Sequence, residues 1–347
     1  MPITGGKPIL THEKIVGVQY LRGIAVSAVA LDHGSYLAGH PFPRLEYGAI
    51  GVDLFFLISG FIIAVVSLSG PGLAPAIGVR AFLMRRFIRI VPLMWIAVAA
   101  FALFSLIGIR AWPPTSFLTG VVLWPFGKIA PAHLWTLRLE AIFYVVFAVT
   151  MLGGRRWRFL LLLWAVSPLI VWITHRGTGL PWKLVMNPAN WEFAAGLLAA
   201  ALWLRYSQAR RIRLPVDPLF VLALMASIVI WGIVPAFHLR PGLVLALLFL
   251  PVLLIAIHAE CPPGRVRAFG ELLGNASYSI YLFHLLGISA ALRIWAALFP
   301  AAPPWLVVVS AALVGTVLGI ALHLLVERPL LARLKRHFSA VEVGPRD

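Results

Sequence analysis

Residues 47–68 read YGAIGVDLFFLISGFIIAVVSL, an apolar run that carries one charged side chain, Asp53. A bilayer core about 30 Å thick is crossed by about 20 mostly apolar residues in an α-helix, so this run has the length of a membrane span. Hydrophobic residues make up 61% of the chain and charged residues 12%, whereas soluble proteins have about 45–50% and about 25%. The composition excludes an ordinary soluble enzyme and predicts a polytopic membrane protein.

Other stretches of similar length lie between clusters of Arg, Pro and Gly, and together they predict an all-α fold with about ten transmembrane helices. A further apolar piece, residues 115–126, is too short to cross and is expected to be re-entrant or interfacial. The predicted spans are residues 15–36, 47–68, 87–108, 133–152, 158–174, 188–204, 215–234, 242–258, 272–292 and 305–326.

The basic residues predict which face of the bundle is cytoplasmic. With the N-terminus inside, the inner segments hold 21 Lys and Arg residues and the outer segments hold 7. Short cytoplasmic loops carry an excess of Lys and Arg, so both termini are expected in the cytoplasm. The net charge of +17 therefore reflects topology. Because these charges recur at every second loop instead of gathering on one surface, no nucleic-acid partner is expected.

One membrane domain is expected between two short aqueous ends. We predict a cytoplasmic N-terminal head at residues 1–14, a transmembrane domain at 15–326 and a cytoplasmic basic tail at 327–347. The first apolar stretch has spanning length and no A-x-A-like site after a short apolar core, so a cleaved signal peptide is not expected. A single cysteine, Cys261, and the lack of histidines at i, i+4 spacing predict that no metal is bound.

Two ionisable side chains lie on one face of the first span. Arg22 and His33 are eleven residues apart, which leaves an offset of about 20° around the helix and a separation of about 16 Å along it. Ionisable groups inside a bilayer usually face a polar cavity or a partner. The pair predicts a groove with a cation near the cytoplasm and an imidazole deeper in. The alternative is an Arg that reaches the headgroups and a His bonded to a neighbouring helix.

Arg86 and Arg89 lie on one helical face at the start of the third span. Guanidinium groups suit phosphate, so a nucleotide-bearing donor could dock there, while anchoring at the cytoplasmic surface explains the spacing equally well. In the second span, Asp53 fits either function or helix packing, and Gly51 and Gly60 permit close helix approach.

Thr136, Glu140 and Tyr144 share one stripe of the fourth span, at i, i+4 and i+8. A buried carboxylate beside a histidine fixes the tautomer of the ring and stabilises the imidazolium, which is one interpretation of Glu140. A buried pair with a basic group is the other.

Two later segments carry ionisable side chains at helical spacing. Tyr281 and His284 share a face of the ninth span, and His323 and Glu327 form an i, i+4 pair at the end of the tenth. We expect the second pair to have a structural role.

Taken together, these segments resemble membrane-bound acyltransferase family 3, the bacterial O-acyltransferases that modify surface polysaccharides. Residues 16–23 and 187–193 are most similar to the exopolysaccharide acetyltransferase branch. Thr136 replaces the usual Ser, and Asp32 stands where an aromatic residue is common. The motifs that match are Arg-x10-His at 22–33, Gly-Val-Asp-Leu-Phe-Phe-x-x-Ser-Gly-Phe at 51–61, Arg-x-x-Arg at 86–89, Trp-Thr-Leu-x-x-Glu-x-x-Phe-Tyr at 135–144, Ser-Tyr-Ser-Ile-Tyr-Leu-Phe-His at 277–284 and Glu-Arg-Pro at 327–329.

The resemblance implies a protein of the bacterial inner membrane that transfers an acyl group, with acetyl the first expectation, from cytoplasmic acyl-CoA to a sugar hydroxyl. The expected acceptor is an exopolysaccharide precursor or a lipid-linked sugar, and the polysaccharide synthesis machinery is a further expected partner. His33 matches the catalytic residue of the family, which would take the proton of the acceptor hydroxyl or carry the acyl group transiently, with Glu140 as its orienting group. Arg86 and Arg89, together with Arg22, are expected to bind the acyl-CoA. The expected substrate pocket contains Asp32, Asp53, Tyr144, Tyr281 and His284.

Two other function classes fit part of the pattern. A transporter or flippase of a glycan intermediate would also have many spans with buried charges, but such proteins have two related halves and interrupted helices, and the sequence has no internal repeat. A non-catalytic scaffold of a polysaccharide synthesis complex would tolerate substitution of Arg22 and His33.

Overall fold

The computed structural model describes residues 15–42, 49–70, 72–106, 108, 112–174, 184–206, 241–259 and 262–342, and these are almost entirely helical. A short antiparallel hairpin pairs Leu68–Ser69 with Ala74–Pro75. Short 3-10 turns at Ala132–Leu134 and Gly154–Arg158, and a π-turn at His323–Glu327, adjoin the helices. The helices are α1 Val16–Leu37, α2 Ala49–Ser67, α3 Val79–Leu106, α4 Pro114–Val121, α5 Trp135–Leu152, α6 Phe159–Thr174, α7 Ala189–Tyr206, α8 Pro241–Ile257, α9 Arg265–Leu298, α10 Pro304–Leu322 and α11 Arg328–Glu342.

Helices cover nine of the ten predicted spans, and the remaining one, at 215–234, lies outside the described residues. Among the residues that the structure describes, 6 helices are long and apolar enough to cross a membrane. The first helix, α1, is not one of these 6, since it carries polar and charged side chains. The chain is therefore an all-α membrane protein, while the count of ten spans and the side of each terminus stay predictions.

Two helices extend beyond their predicted boundaries, and the short apolar segment predicted at 115–126 contains a short helix, α4. α3 begins at Val79 rather than at 87, and α9 covers Arg265–Leu298 rather than 272–292. Hydropathy marks the apolar centre of a helix, whereas Arg and Lys extend a helix readily into the polar region. α4 has 8 residues and rises only about 12 Å, so it is too short to cross a bilayer, as predicted.

The first helix, α1, packs against α2, α8, α9 and α10, which places its polar face inside the bundle. Small residues allow this close packing. A Cβ on Gly51 of α2 would lie 2.3 Å from the carbonyl oxygen of Ala25, and one on Gly60 would lie 2.2 Å from that of Phe193 in α7. The prediction that Gly51 and Gly60 permit close helix approach is confirmed, and such contacts are typical of membrane bundles.

Candidate active site

A cavity of about 160 Å³ lies between α1, α2, α3, α5 and α9. Its lining extends along α5 from Thr136 to Tyr144, two positions eight residues apart and so separated by about 12 Å along a helix. The predicted stripe of Thr136, Glu140 and Tyr144 is therefore confirmed as one face that borders a single space. Its polar side chains are those of Arg22, Ser59, Arg86, Arg89, Thr136, Glu140, Tyr144, Ser277, Tyr278 and Tyr281.

One of the three arginines is held in place by a buried carboxylate. Arg89 forms an ion pair with Oε1 of Glu327, whose side chain is fully buried. Oε2 of Glu327 accepts hydrogen bonds from Oγ of Ser279 at 2.6 Å and from Nδ1 of His323 at 2.7 Å. The guanidinium carbon of Arg89 also lies 5.4 Å from the ring centroid of Tyr278. The predicted pair of His323 and Glu327 is confirmed, and it orients the Arg89 guanidinium at the cavity.

The other two arginines keep hydrogen-bond donors that the described part of the protein does not use. The guanidinium carbon of Arg86 lies 5.7 Å from the ring centroid of Phe82 and 6.0 Å from that of Tyr144, and its Nε has no hydrogen-bond partner among the described residues. Arg22 forms no hydrogen bond or ion pair with another described residue, although the charges of Arg89 and nearby carboxylates act on it. Cationic donors of this kind suit an anionic ligand.

Glu140 receives hydrogen bonds from two hydroxyl groups within the cavity wall. The hydroxyl of Ser59 donates to its Oε1 at 2.8 Å, and the hydroxyl of Tyr144 donates to the same oxygen. We expected this carboxylate to orient the ring of His33. Neither of these hydrogen bonds involves His33, whose Nδ1 has a different partner.

That partner is His284 of α9. Nδ1 of His33 lies 2.8 Å from Nε2 of His284, and the two rings stack with centroids 5.0 Å apart. His284 is fully buried, and its Nδ1 lies 2.9 Å from the carbonyl oxygens of both Ile280 and Tyr281. Nδ1 of His33 thus contacts an imidazole of α9, the helix that packs along α1. The orienting role expected of Glu140 stays a prediction.

Tyr281 lines the cavity and lies next to His284, one of the two stacked imidazoles. Its ring lines the cavity and has its centroid 6.3 Å from that of His284, while neither His33 nor His284 belongs to the lining. The hydroxyl of Tyr281 donates a hydrogen bond to the carbonyl oxygen of His133 and also contacts the hydroxyl of Thr136. We expected His33 to border the same space as the arginines. In the structure His33 is not among the residues that line this cavity.

A third histidine, His133, belongs to this group and had no predicted role. It is buried, and its ring centroid lies 5.2 Å from that of Tyr281 and 5.8 Å from that of His284. The signal that could have found it was an ionisable side chain within a predicted span, since His133 is the first residue of the span at 133–152.

The two aspartates that we placed in the substrate pocket lie outside the cavity lining. Asp32 precedes His33 on α1 and is partly buried. Asp53 of α2 lies close enough to Glu192 of α7 for their charges to interact, and Glu192 is almost fully buried. Oε2 of Glu192 has no hydrogen-bond partner among the described residues.

Comparison with known families identifies the class of this protein. The acyltransferase domain of family 3 matches residues 15–324. The chain belongs to acyltransferase family 3. Among related proteins, it is 33% identical to the exopolysaccharide production protein ExoZ of Rhizobium meliloti (strain 1021), over 87% of this chain and 95% of that protein. It is 27% identical to nodulation protein 10 of Rhizobium leguminosarum bv. viciae, over 83% of each.

A third relative of this acyltransferase is the putative membrane-bound transacylase BcsY of Komagataeibacter xylinus, which is 26% identical over 78% of this chain and 72% of that protein. No solved structure matches the chain. Family membership and the apolar helices make this chain a multi-pass membrane acyltransferase.

Proposed function

We propose that this acyltransferase transfers an acetyl group from cytoplasmic acetyl-CoA to a sugar hydroxyl of an exopolysaccharide or lipid-linked precursor, in the bacterial inner membrane. The observation that carries the proposal is the cavity with three guanidinium groups at one end and the pair of imidazoles behind the other. The family and the name of its relative in exopolysaccharide production support the reaction class and the acceptor. Both termini, with the head at 1–14 and the tail at 327–347, would then lie in the cytoplasm.

The size of the cavity favours one orientation of the donor. Ligand sites usually enclose about 300–1,000 Å³, and this cavity has about 160 Å³. We therefore expect only the linear pantetheine arm to enter it. Arg22, Arg86 and Arg89 would bind the phosphates of CoA at the cytoplasmic end, where guanidinium groups bind phosphate in bidentate geometry.

The thioester would reach the imidazoles when Tyr281 moves aside. His33 would take the proton from the sugar hydroxyl while the hydroxyl oxygen attacks the thioester carbonyl. The carbon–sulfur bond then breaks, and the thiolate of CoA takes up the proton from His33. General acid–base catalysis of this kind contributes about 10² to 10⁴ in rate.

Transfer from radiolabelled acetyl-CoA tests the proposal, with the purified protein in lipid nanodiscs and an oligosaccharide extracted from the host polysaccharide as the acceptor. His33→Ala should reduce transfer by about 10² to 10⁴. His258→Ala is the matched control, since the Nδ1 of His258 bonds to the carbonyl oxygen of Leu254 within its own segment, outside the cavity lining. Equal transfer by wild type and His33→Ala would reject the catalytic assignment.

A second measurement separates transfer from transport. Mass spectrometry of surface polysaccharide from cells with and without this gene should show the loss of an acyl ester on deletion. A flippase would instead change the amount of polysaccharide and leave its esters in place.

A further inference from the structure

We propose that His284 is a positioning residue that fixes His33 in the tautomer with its proton on Nδ1. Nε2 of His33 is then the unprotonated nitrogen that takes the proton of the acceptor hydroxyl. This inference rests on the proposed acyl transfer, but the tautomer can be measured in the protein without turnover.

The first step concerns the proton on His284. Its Nδ1 lies 2.9 Å from the carbonyl oxygens of Ile280 and Tyr281. A carbonyl oxygen only accepts hydrogen bonds, so Nδ1 of His284 must be the donor and must carry a proton.

The second step concerns the other nitrogen of that ring. His284 is fully buried, and its described hydrogen-bond partners are two carbonyl groups and an imidazole. A charged ring without a carboxylate partner is costly in such a place, so His284 is neutral. A neutral ring with its proton on Nδ1 has a lone pair on Nε2. Nε2 of His284 therefore accepts, and Nδ1 of His33, 2.8 Å away, donates.

The third step follows for His33. In its neutral form the ring carries one proton, and that proton is on Nδ1, so its Nε2 has the lone pair that general-base catalysis requires. When Nε2 takes up the proton of the acceptor, Nδ1 continues to donate to His284. An orienting carboxylate would do the same with a full negative charge. Here an imidazole provides the acceptor without placing an additional charge in the membrane.

The position of His284 is fixed by the packing of α9 on α10. A Cβ on Gly315 of α10 would lie 2.7 Å from the carbonyl oxygen of His284, and one on Gly319 would lie 2.3 Å from the Cα of Ile280. Backbone contacts this close leave little freedom for the segment that presents both the ring and its carbonyl partners. The packing of α9 on α10 thus sets the position of the ring that selects the tautomer of His33.

Nitrogen NMR of histidine-labelled protein in lipid tests the assignment, because protonated and unprotonated ring nitrogens resonate apart. The signals of His33 are identified by their loss in His33→Gln. We expect a protonated Nδ1 and an unprotonated Nε2 in the wild-type protein. A His33 ring with its proton on Nε2 would overturn the inference even if the wild type transfers acetyl normally.

Two variants of His284 add a kinetic test. His284→Gln keeps a carbonyl oxygen that can accept from Nδ1 of His33, whereas His284→Leu has no acceptor. We expect His284→Leu to lose about 10² or more in kcat with little change in KM for acetyl-CoA, and His284→Gln to recover most of that loss. His258→Leu is the control, because it makes the same His-to-Leu change at a residue outside the cavity lining.

The outcomes separate the two proposals. If His284→Leu retains the wild-type kcat, or if Gln gives no more activity than Leu, the positioning role is wrong while acyl transfer stands. If the wild type transfers no acetyl group, the proposed function is wrong, and the NMR spectrum still decides the tautomer. The wild-type spectrum also decides it if His284→Leu does not fold.

Discussion

Arg89 of α3 and Glu327 at the end of α10, 238 residues apart in the sequence, form an ion pair at the edge of the cavity. The carboxylate is fully buried, while the Arg89 side chain is 31% exposed and lines the cavity. A buried anion therefore holds a partly accessible cation, and that cation is one of the three that we expect to bind the phosphates of the donor.

Removing the charge of Glu327 should affect both stability and donor binding. Loss of one partner from a buried pair costs about 3–5 kcal/mol, and the partial exposure of Arg89 places Glu327→Gln at or below the lower end. We expect a lower Tm and weaker binding of CoA, measured by thermal unfolding and by calorimetry in detergent. Glu271→Gln is the control, because Glu271 pairs with Arg267 where both side chains are about a third exposed, and such pairs contribute about 0–1 kcal/mol. Equal effects of the two variants would contradict the anchoring role of Glu327.

Arg86 and its neighbour Arg85 provide a matched pair on one helix. Arg86 lines the cavity, while Arg85 is exposed and does not belong to the lining. A charge-assisted hydrogen bond contributes about 1.5–3 kcal/mol, so Arg86→Ala should raise the Kd for acetyl-CoA by about 10- to 100-fold. Arg85→Ala should leave the Kd unchanged. If both variants bind acetyl-CoA like the wild type, the arginine end of the cavity is not the donor site.

Double-mutant cycles test whether Glu140 acts on His33. Because Glu140 accepts from Tyr144, the effects of Glu140→Gln and Tyr144→Phe on kcat/KM should be coupled by about 0.5–3 kcal/mol. The effects of Glu140→Gln and His284→Leu should add within about 0.5 kcal/mol, since the two side chains share no described contact. Strong coupling in the second cycle would restore Glu140 as the orienting group of His33.

Close helix contact at Gly51 should make this position sensitive to a single methyl group. In Gly51→Ala the added Cβ would lie 2.3 Å from the carbonyl oxygen of Ala25. Overpacking of this kind lowers the free energy of unfolding by about 1–3 kcal/mol. We expect a lower Tm and less protein in the membrane. Gly78→Ala is the control, because nothing lies within 4 Å of the Cβ added there. A wild-type Tm for Gly51→Ala would show that α1 and α2 separate easily.

The sequence predicted the features that depend on one helix at a time. Apolar length indicated the membrane class and the approximate position of nine helices, and the period of 3.6 residues placed Thr136, Glu140 and Tyr144 on one cavity face. The same period placed Arg22 and His33 on one face of α1. In the structure α1 packs against α2, α8, α9 and α10. Each of these conclusions follows from residues that are close together in the chain.

Only the tertiary structure decided which side chains from different helices meet. Three contacts between distant segments are examples: His284 contacts Nδ1 of His33, Glu327 pairs with Arg89, and the Tyr281 hydroxyl bonds to the carbonyl oxygen of His133. They depend on how closely and at what height neighbouring helices pack, which small residues such as Gly51, Gly315 and Gly319 determine through backbone contacts. Helical periodicity gives the face of a side chain within its own helix, but the depth and angle at which two helices cross come from the packing of the whole bundle.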